Sequence, residues 1–190
     1  MAAEATPRSY DLTLRTLHWL MAALVLLVIA LGAAAALLPA GVGARPALLF
    51  VHKSLGMTAL VLVVLRVGCR LAVGAPPYGD TLGALMQAAA RGEQAALYAL
   101  MAALPVTGYV TSTAGGHEVS WFGLFAWPAV VAPDKALASR AAEAHLVLAW
   151  AVGALVALHL AAAAWHYWVK RDDIFARMWP SAARTGGGRG

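Results

Sequence analysis

Long apolar runs alternate along this chain with short connectors rich in proline and glycine. A membrane-spanning helix needs about 20 mostly apolar residues. Four runs qualify, at about 16–38, 47–67, 95–112 and 144–169. The connectors hold the helix breakers: Pro39 to Pro46 with two glycines between them, then Gly74-Ala75-Pro76-Pro77, then Gly115-Gly116 through Pro128 and Pro133. The pattern predicts an all-α integral membrane protein. It is an up-down-up-down four-helix bundle in one domain, 1–180, followed by a Gly-rich flexible tail, 181–190. No internal sequence repeat is visible. The first run exceeds the roughly 7–15 apolar residues of a cleaved leader, so it reads as a retained span.

Composition points the same way. Of 190 residues, 62% are hydrophobic and 12% charged, against about half and a quarter in a soluble domain. Lipid is therefore the expected solvent. The basic residues flank the apolar runs and form no stripe for nucleic acid. A single cysteine, Cys69, excludes an internal disulfide, and no Cys-x-x-Cys-His is present for covalent haem attachment. No nucleotide fingerprint or Gly-rich phosphate loop is found.

The distribution of Lys and Arg sets the orientation. With four spans, the termini and the second connector share one side and hold Arg8, Arg15, Arg66, Arg70, Arg91, Lys170, Arg171, Arg177, Arg184 and Arg189. The other side holds Arg45, Lys53, Lys135 and Arg140. Ten against four puts both termini in the cytoplasm. Trp19, Trp121, Trp127, Trp165, Trp168 and Trp179 lie near span ends, as an interfacial aromatic belt requires.

Inside these apolar runs sit histidines, and an ionisable group at membrane depth marks a functional site by default. His145 and His159 are fourteen residues apart in the fourth run. That is almost four turns, so both rings share a face, separated by roughly 21 Å along the axis. In the predicted topology His52 lies at the outer level of His145, and His18 at the inner level of His159. Small residues in the fourth run (Ala149, Ala151, Gly153, Ala154) permit close approach. Two facing nitrogen ligands suit the axial positions of a haem. A structural zinc needs four ligands in one tetrahedron, which two distant pairs do not supply. The remaining alternative is four histidines merely bonded to other helices.

Charged and small residues near these levels are candidate cofactor contacts. Arg66 follows His52 by the same fourteen residues and should face the bundle at the inner level, where a guanidinium could pair with a haem propionate. Arg15 is a second inner candidate, and Lys53 and Arg140 are outer ones; ordinary flanking charge is the alternative for these three. Snorkelling to the headgroups is the alternative for Arg66. Gly56, one turn after His52, could admit a porphyrin or serve helix packing. His166 lies about 31 Å below His145 by helix rise, too far for the inner pair. It is placed at the rim, near a propionate, a quinone headgroup or lipid phosphate, with a plain interfacial residue as the equal alternative. His117 is expected to be a solvent-exposed loop residue.

Several stretches together resemble the prokaryotic cytochrome b561 family. They are Tyr10…Leu17-His18-Trp19, His52-Lys53-x-x-Gly56, Arg66…Arg70-Leu71, Leu97-Tyr98, Ala103-Leu104-Pro105-x-x-Gly108 and Ser120-Trp121-Phe122-Gly123-Leu124-Phe125 before Pro128. His145…Leu158-His159…His166-Tyr167…Arg171-Asp172…Arg177-Met178-x-Pro180 completes the series. The resemblance implies a multi-pass bacterial inner-membrane protein with two haems b, on His52 with His145 and His18 with His159. It implies electron exchange with the ubiquinone pool. Some members oxidise superoxide on the outer side and pass the electron to quinone, which leaves superoxide or a redox protein open as the one-electron donor. Gln94 stands where members often have a histidine, and leaves any proton or quinone role of that position open. The resulting expectation is a transmembrane electron carrier. Its rivals are a haem b anchor subunit of a hydrogenase or formate dehydrogenase, and a small transporter or structural membrane protein without cofactor.

Overall fold

A computed structural model describes residues 9–78 and 82–179. The expected tail at 181–190 and the charges of Arg8, Arg184 and Arg189 lie outside the described residues. Four long helices carry the chain: α1 (Leu12–Leu37), α2 (Ala44–Val73), α3 (Ala84–Ala114) and α4 (Lys135–Trp165). Each is long and apolar enough to cross a membrane, with mean hydropathy of 2.8, 2.1, 1.3 and 2.2 in the best window of the respective spans. Large apolar side chains such as Val64 and Trp168 are exposed. Such a surface is tolerable against hydrocarbon and not against water.

The helices outrun the apolar stretches that predicted them. α3 begins at Ala84 rather than 95, and α4 at Lys135 rather than 144. The reason is local. Residues 84–94 are mostly good helix formers, which propagate a helix beyond the hydrocarbon. Asp134 caps α4, its carboxylate accepting from the amides of Ala136 and Leu137 at 2.8 and 3.0 Å. Asp11 caps α1 in the same way, accepting from Thr13 at 2.8 Å. Gly74 ends α2 at φ 81°, a left-handed backbone that favours glycine.

α1 packs along α2 and α3 along α4, and α2 joins the two hairpins by packing on α3. Both hairpins are short-range in sequence, so the bundle assembles from neighbouring elements.

The connector between α3 and α4 contains an antiparallel hairpin, β1 (Val119–Trp121) and β2 (Phe125–Trp127), with Val119 opposite Trp127 and Trp121 opposite Phe125. The apolar pattern predicts only a loop there. Its turn places Phe122 and Gly123 at φ 52° and 76°. The hairpin is tied to α2 by Ser54, which is fully buried. The Ser54 hydroxyl donates toward the carbonyls of Phe50 and Ser120 at 3.0 and 3.1 Å and accepts from the Phe122 amide at 3.1 Å. The Trp121 indole donates to Thr58 Oγ1 at 3.0 Å.

At the opposite end, the chain leaves α4 through a π-helical turn, His166–Lys170, and doubles back. The Trp19 indole donates to the Met178 carbonyl at 2.8 Å, and the Tyr10 amide to that of Arg177 at 3.2 Å. Trp19 and Trp121 are thus tethers between segments, a role that an aromatic belt does not require. The exposed Trp165 and Trp168 retain the belt's position.

Ser54→Ala should destabilise the solubilised protein by about 1–3 kcal/mol, the range for stranding buried hydrogen-bonding groups. Thermal unfolding measures it, and an unchanged midpoint would show that the hairpin holds without Ser54.

Candidate functional site

The fold brings the histidines together in the two pairs that the levels predict. His52 on α2 faces His145 on α4 with ring centroids 6.2 Å apart and planes at 83°. His18 on α1 faces His159 on α4 with centroids 6.2 Å apart and planes at 67°. Two opposed imidazoles, each about 2.0–2.1 Å from a shared metal, have centroids about 6 Å apart. Among the described residues no cluster of three or more His, Cys, Asp or Glu could hold a metal ion. The pairs therefore suit an ion that brings its own equatorial ligands.

The far side of each ring matters as much. A metal-bound imidazole normally donates its other N–H to a carbonyl or carboxylate, which settles tautomer and orientation. His52 Nδ1 lies 2.9 Å from the Val28 carbonyl on α1. His145 Nδ1 lies 2.9 Å from the Leu104 carbonyl and 3.1 Å from Thr107 Oγ1, both on α3. His159 Nδ1 lies 2.8 Å from Glu93 Oε1, also on α3. In all three, Nε2 is left for a ligand.

Glycines make the outer contacts possible. Gly32 is one turn beyond Val28, and a Cβ there would stand 2.8 Å from His52 Cε1. Gly108 is one turn beyond Leu104, and a Cβ there would stand 3.1 Å from His145 Cε1. The two hairpins thus repeat one device: a glycine lets the neighbouring helix's imidazole reach a backbone carbonyl.

Between the hairpins lies a cavity of about 490 Å³, walled by His52, His145, Gly56, Gly153, Trp150 and other mostly apolar residues. A Cβ at Gly56 or Gly153 would meet nothing within 4 Å. Gly56 therefore serves the cavity rather than close helix packing. Paired imidazoles with engaged Nδ1 atoms, an apolar chamber and open glycine walls fit a haem.

The basic candidates divide. Arg66 is buried, its guanidinium donating to the Leu14 carbonyl at 2.7 Å and the Tyr98 hydroxyl at 3.0 Å. Leu14 is one turn before His18, so Arg66 stands at the level of the His18–His159 couple and points into the bundle. Arg15 is also buried and donates to the Trp179 carbonyl at 2.9 Å, which binds the returning C-terminal segment. Lys53 lines a second pocket of about 500 Å³ with Arg45, His117 and Glu118. Arg45 lines both chambers and donates to the Ala35 carbonyl at 3.1 Å.

Arg140 is exposed and lines neither chamber. Five residues before His145, it points to another side of the helix, whereas Arg45 precedes His52 by seven, close to two turns. Sequence reasoning thus missed Arg45, and that seven-residue spacing was the available signal. Glu93 and the carbonyls of Val28 and Leu104 had no signal in the sequence, because each depends on which helices become neighbours; Tyr98 is legible there only as part of the Leu97-Tyr98 stretch of the family resemblance.

His166 does not join a pair. Its Nδ1 lies 2.6 Å from Asp172 Oδ2, beyond the inner end of α4. His117 is exposed, as expected. Gln94 donates to the Tyr78 hydroxyl at 2.9 Å, and burial pushes that phenol above its ordinary value, so it remains neutral.

Known proteins resemble this chain over most of its length. The sequence model described as prokaryotic cytochrome b561 matches residues 9–181. Cytochrome b561 homolog 2 of Escherichia coli K12 is 35% identical over 180 residues, 94% of this chain and 95% of that protein. Cytochrome b562 of Cereibacter sphaeroides is 30% identical over 172 residues, 86% of this chain and 90% of that protein. A protein from Yersinia pestis named probable superoxide oxidase CybB is 29% identical over 164 residues, 86% of this chain and 92% of that one.

Gly32→Val should displace His52 and lower the haem b bound per chain, read from the pyridine haemochrome spectrum. Gly68→Ala, whose Cβ meets nothing within 4 Å, should leave it unchanged. Equal haem content in both variants would show that the glycine contact is dispensable.

Proposed function

This chain belongs to the prokaryotic cytochrome b561 family and is a multi-pass bacterial inner-membrane electron-transfer protein; on that premise we propose that it holds two haems b in series and connects a one-electron donor outside the membrane to the quinone pool. The observation that carries the proposal is the pair of opposed histidine couples, each with centroids 6.2 Å apart. Fourteen residues of α4 hold them roughly 21 Å apart along its axis.

Each bound haem would take up and release one electron at a time. The protein's own part is placement and environment. His52 and His145 hold the outer site from two sides, and His18 and His159 the inner one. With two histidines to hold each iron, the haem would supply electron transfer rather than oxygen binding. The apolar chamber excludes water and so keeps the cost of solvent rearrangement low. Arg66 at the inner level, and Arg45 with Lys53 at the outer, supply positive charge suited to propionates.

Arg45, Lys53 and His117 line the outer pocket with Glu118 as its one acid. A pocket of mainly positive charge beside the outer couple favours an anionic donor. Superoxide meets that description, and the likeness to the probable superoxide oxidase of Yersinia pestis supports the choice. Two superoxide anions would give up one electron each and leave as oxygen. One ubiquinone would take both electrons and two protons to become the quinol. His166, oriented by Asp172 at the inner rim, would pass a proton toward the quinone. The excess of Lys and Arg on the side of the termini supports a cytoplasmic inner rim.

The purified protein should show a reduced-minus-oxidised b-type spectrum and two haems per chain. His145→Ala should lose one haem and His159→Ala the other. A single haem, or loss of the same haem in both variants, would refute the relay. In liposomes, superoxide should drive ubiquinol formation, more slowly in Lys53→Glu and His166→Ala. No ubiquinol from the wild type would remove superoxide as donor. Undiminished formation in His166→Ala would remove its proton role.

A further inference from the structure

The two couples differ in one respect that their identical spacing conceals. At the outer couple, both engaged Nδ1 atoms meet neutral acceptors: the carbonyls of Val28 and Leu104, with the Thr107 hydroxyl beside the latter. At the inner couple, His159 meets a carboxylate, Glu93 Oε1, at 2.8 Å. Glu93 stands well inside a helix long and apolar enough to span the membrane, with only 19% of its side chain exposed. A mostly buried carboxylate needs a partner to offset its lost hydration, and here that partner is His159.

Its position follows from α3 acting as the support helix for both α4 histidines. Glu93 and Leu104 are eleven residues apart on α3, close to three full turns, and so share a face. In antiparallel packing that face presents Leu104 to His145 and Glu93 to His159.

We propose that Glu93 is a positioning residue of the inner site that orients His159 through Nδ1 and sets the inner haem at a lower reduction potential than a neutral acceptor would. The inference rests on the reading that His18 and His159 hold a haem. With Nε2 committed to iron, the ring's proton is on Nδ1 and is donated to Glu93. A charge-assisted hydrogen bond is stronger than a neutral one and makes Nε2 a better electron donor. A more strongly donating ligand favours the more positive, oxidised iron, and hydrogen bonding around a haem's ligands is an established lever on its potential. Arg66, held at the Leu14 carbonyl one turn before His18, pulls the other way through its positive charge. The inner potential is therefore set between two opposite charges, while the outer histidines meet neutral groups on their Nδ1 side.

The test is Glu93→Gln, which keeps size and a hydrogen-bond acceptor but removes the charge. Haem count, redox potentiometry and the low-spin ferric EPR spectrum are measured on the haem-loaded protein. We expect two haems, a higher midpoint potential and an altered EPR signal for the haem that His159→Ala loses, and no change in the other. Glu93→Asp should stay closer to wild type than Glu93→Gln. Two bound haems with unchanged potentials and EPR signals would overturn the proposal. Should Glu93→Gln shed the haem, the wild type labelled with 13C-glutamate decides by infrared difference spectroscopy. A glutamate carboxylate band that moves on reduction of the inner haem supports the role, and its absence overturns it. A wild type lacking a second haem refutes the relay itself, an outcome distinct from any result for Glu93.

Discussion

An imidazole within a bilayer has two ring nitrogens and no water to satisfy them, and this protein is arranged around that constraint. Each engaged Nδ1 is met by the helix next to it: Val28 on α1 for His52, Leu104 on α3 for His145, Glu93 on α3 for His159. Those bonds turn the rings so that Nε2 remains available between the hairpins. The helices pair as α1 with α2 and α3 with α4, and within each hairpin one helix supports the histidine of the other. The chamber between hairpins is then left for the cofactor. Gly32 and Gly108 follow from the same constraint, since a side chain at either position would block the imidazole from its carbonyl.

The ends of the bundle are closed by different means. One end is covered by a small hairpin bound to α2 through Ser54 and Thr58, close in sequence to His52. The other is covered by the returning C-terminal segment, held by Trp19 and Arg15 on either side of His18. In both cases the anchoring polar groups lie within two turns of a histidine of the adjacent couple. The segments that seal the bundle therefore also restrain the helices that carry the ligands. Charge is distributed unequally: Glu93 and Arg66 flank the inner couple, while Arg45 and Lys53 open toward the outer pocket. Equal spacing with unequal charge gives two couples of similar geometry and different electrostatics.

The four helices and the pairing of histidines were legible in the sequence because both depend on periodicity. An apolar run of span length has one stable form in lipid, and fourteen residues on a helix return to the same face. The inward face of Arg66 was legible for the same reason. Arg45 had a readable spacing to His52 but was counted only as flanking charge. Arg140 was proposed by level alone, without its angular position on α4. The hairpin was hidden because a six-residue strand signal with a tight turn is weak beside four strong helical ones. Its anchors, Ser54 and Thr58, were polar residues within an apolar run that no single-helix argument could use.

By itself, then, the sequence determined what travels along one helix: span length, the shared face of His145 and His159, the inward angle of Arg66 and the matching of membrane levels. Only the tertiary structure decided what each ring meets across a helix interface. A carbonyl has no residue type, and Glu93 is one acid among nine until antiparallel packing brings α3 against α4. Periodicity is a property of one segment, whereas a hydrogen bond between helices belongs to two, and the second partner is chosen by packing.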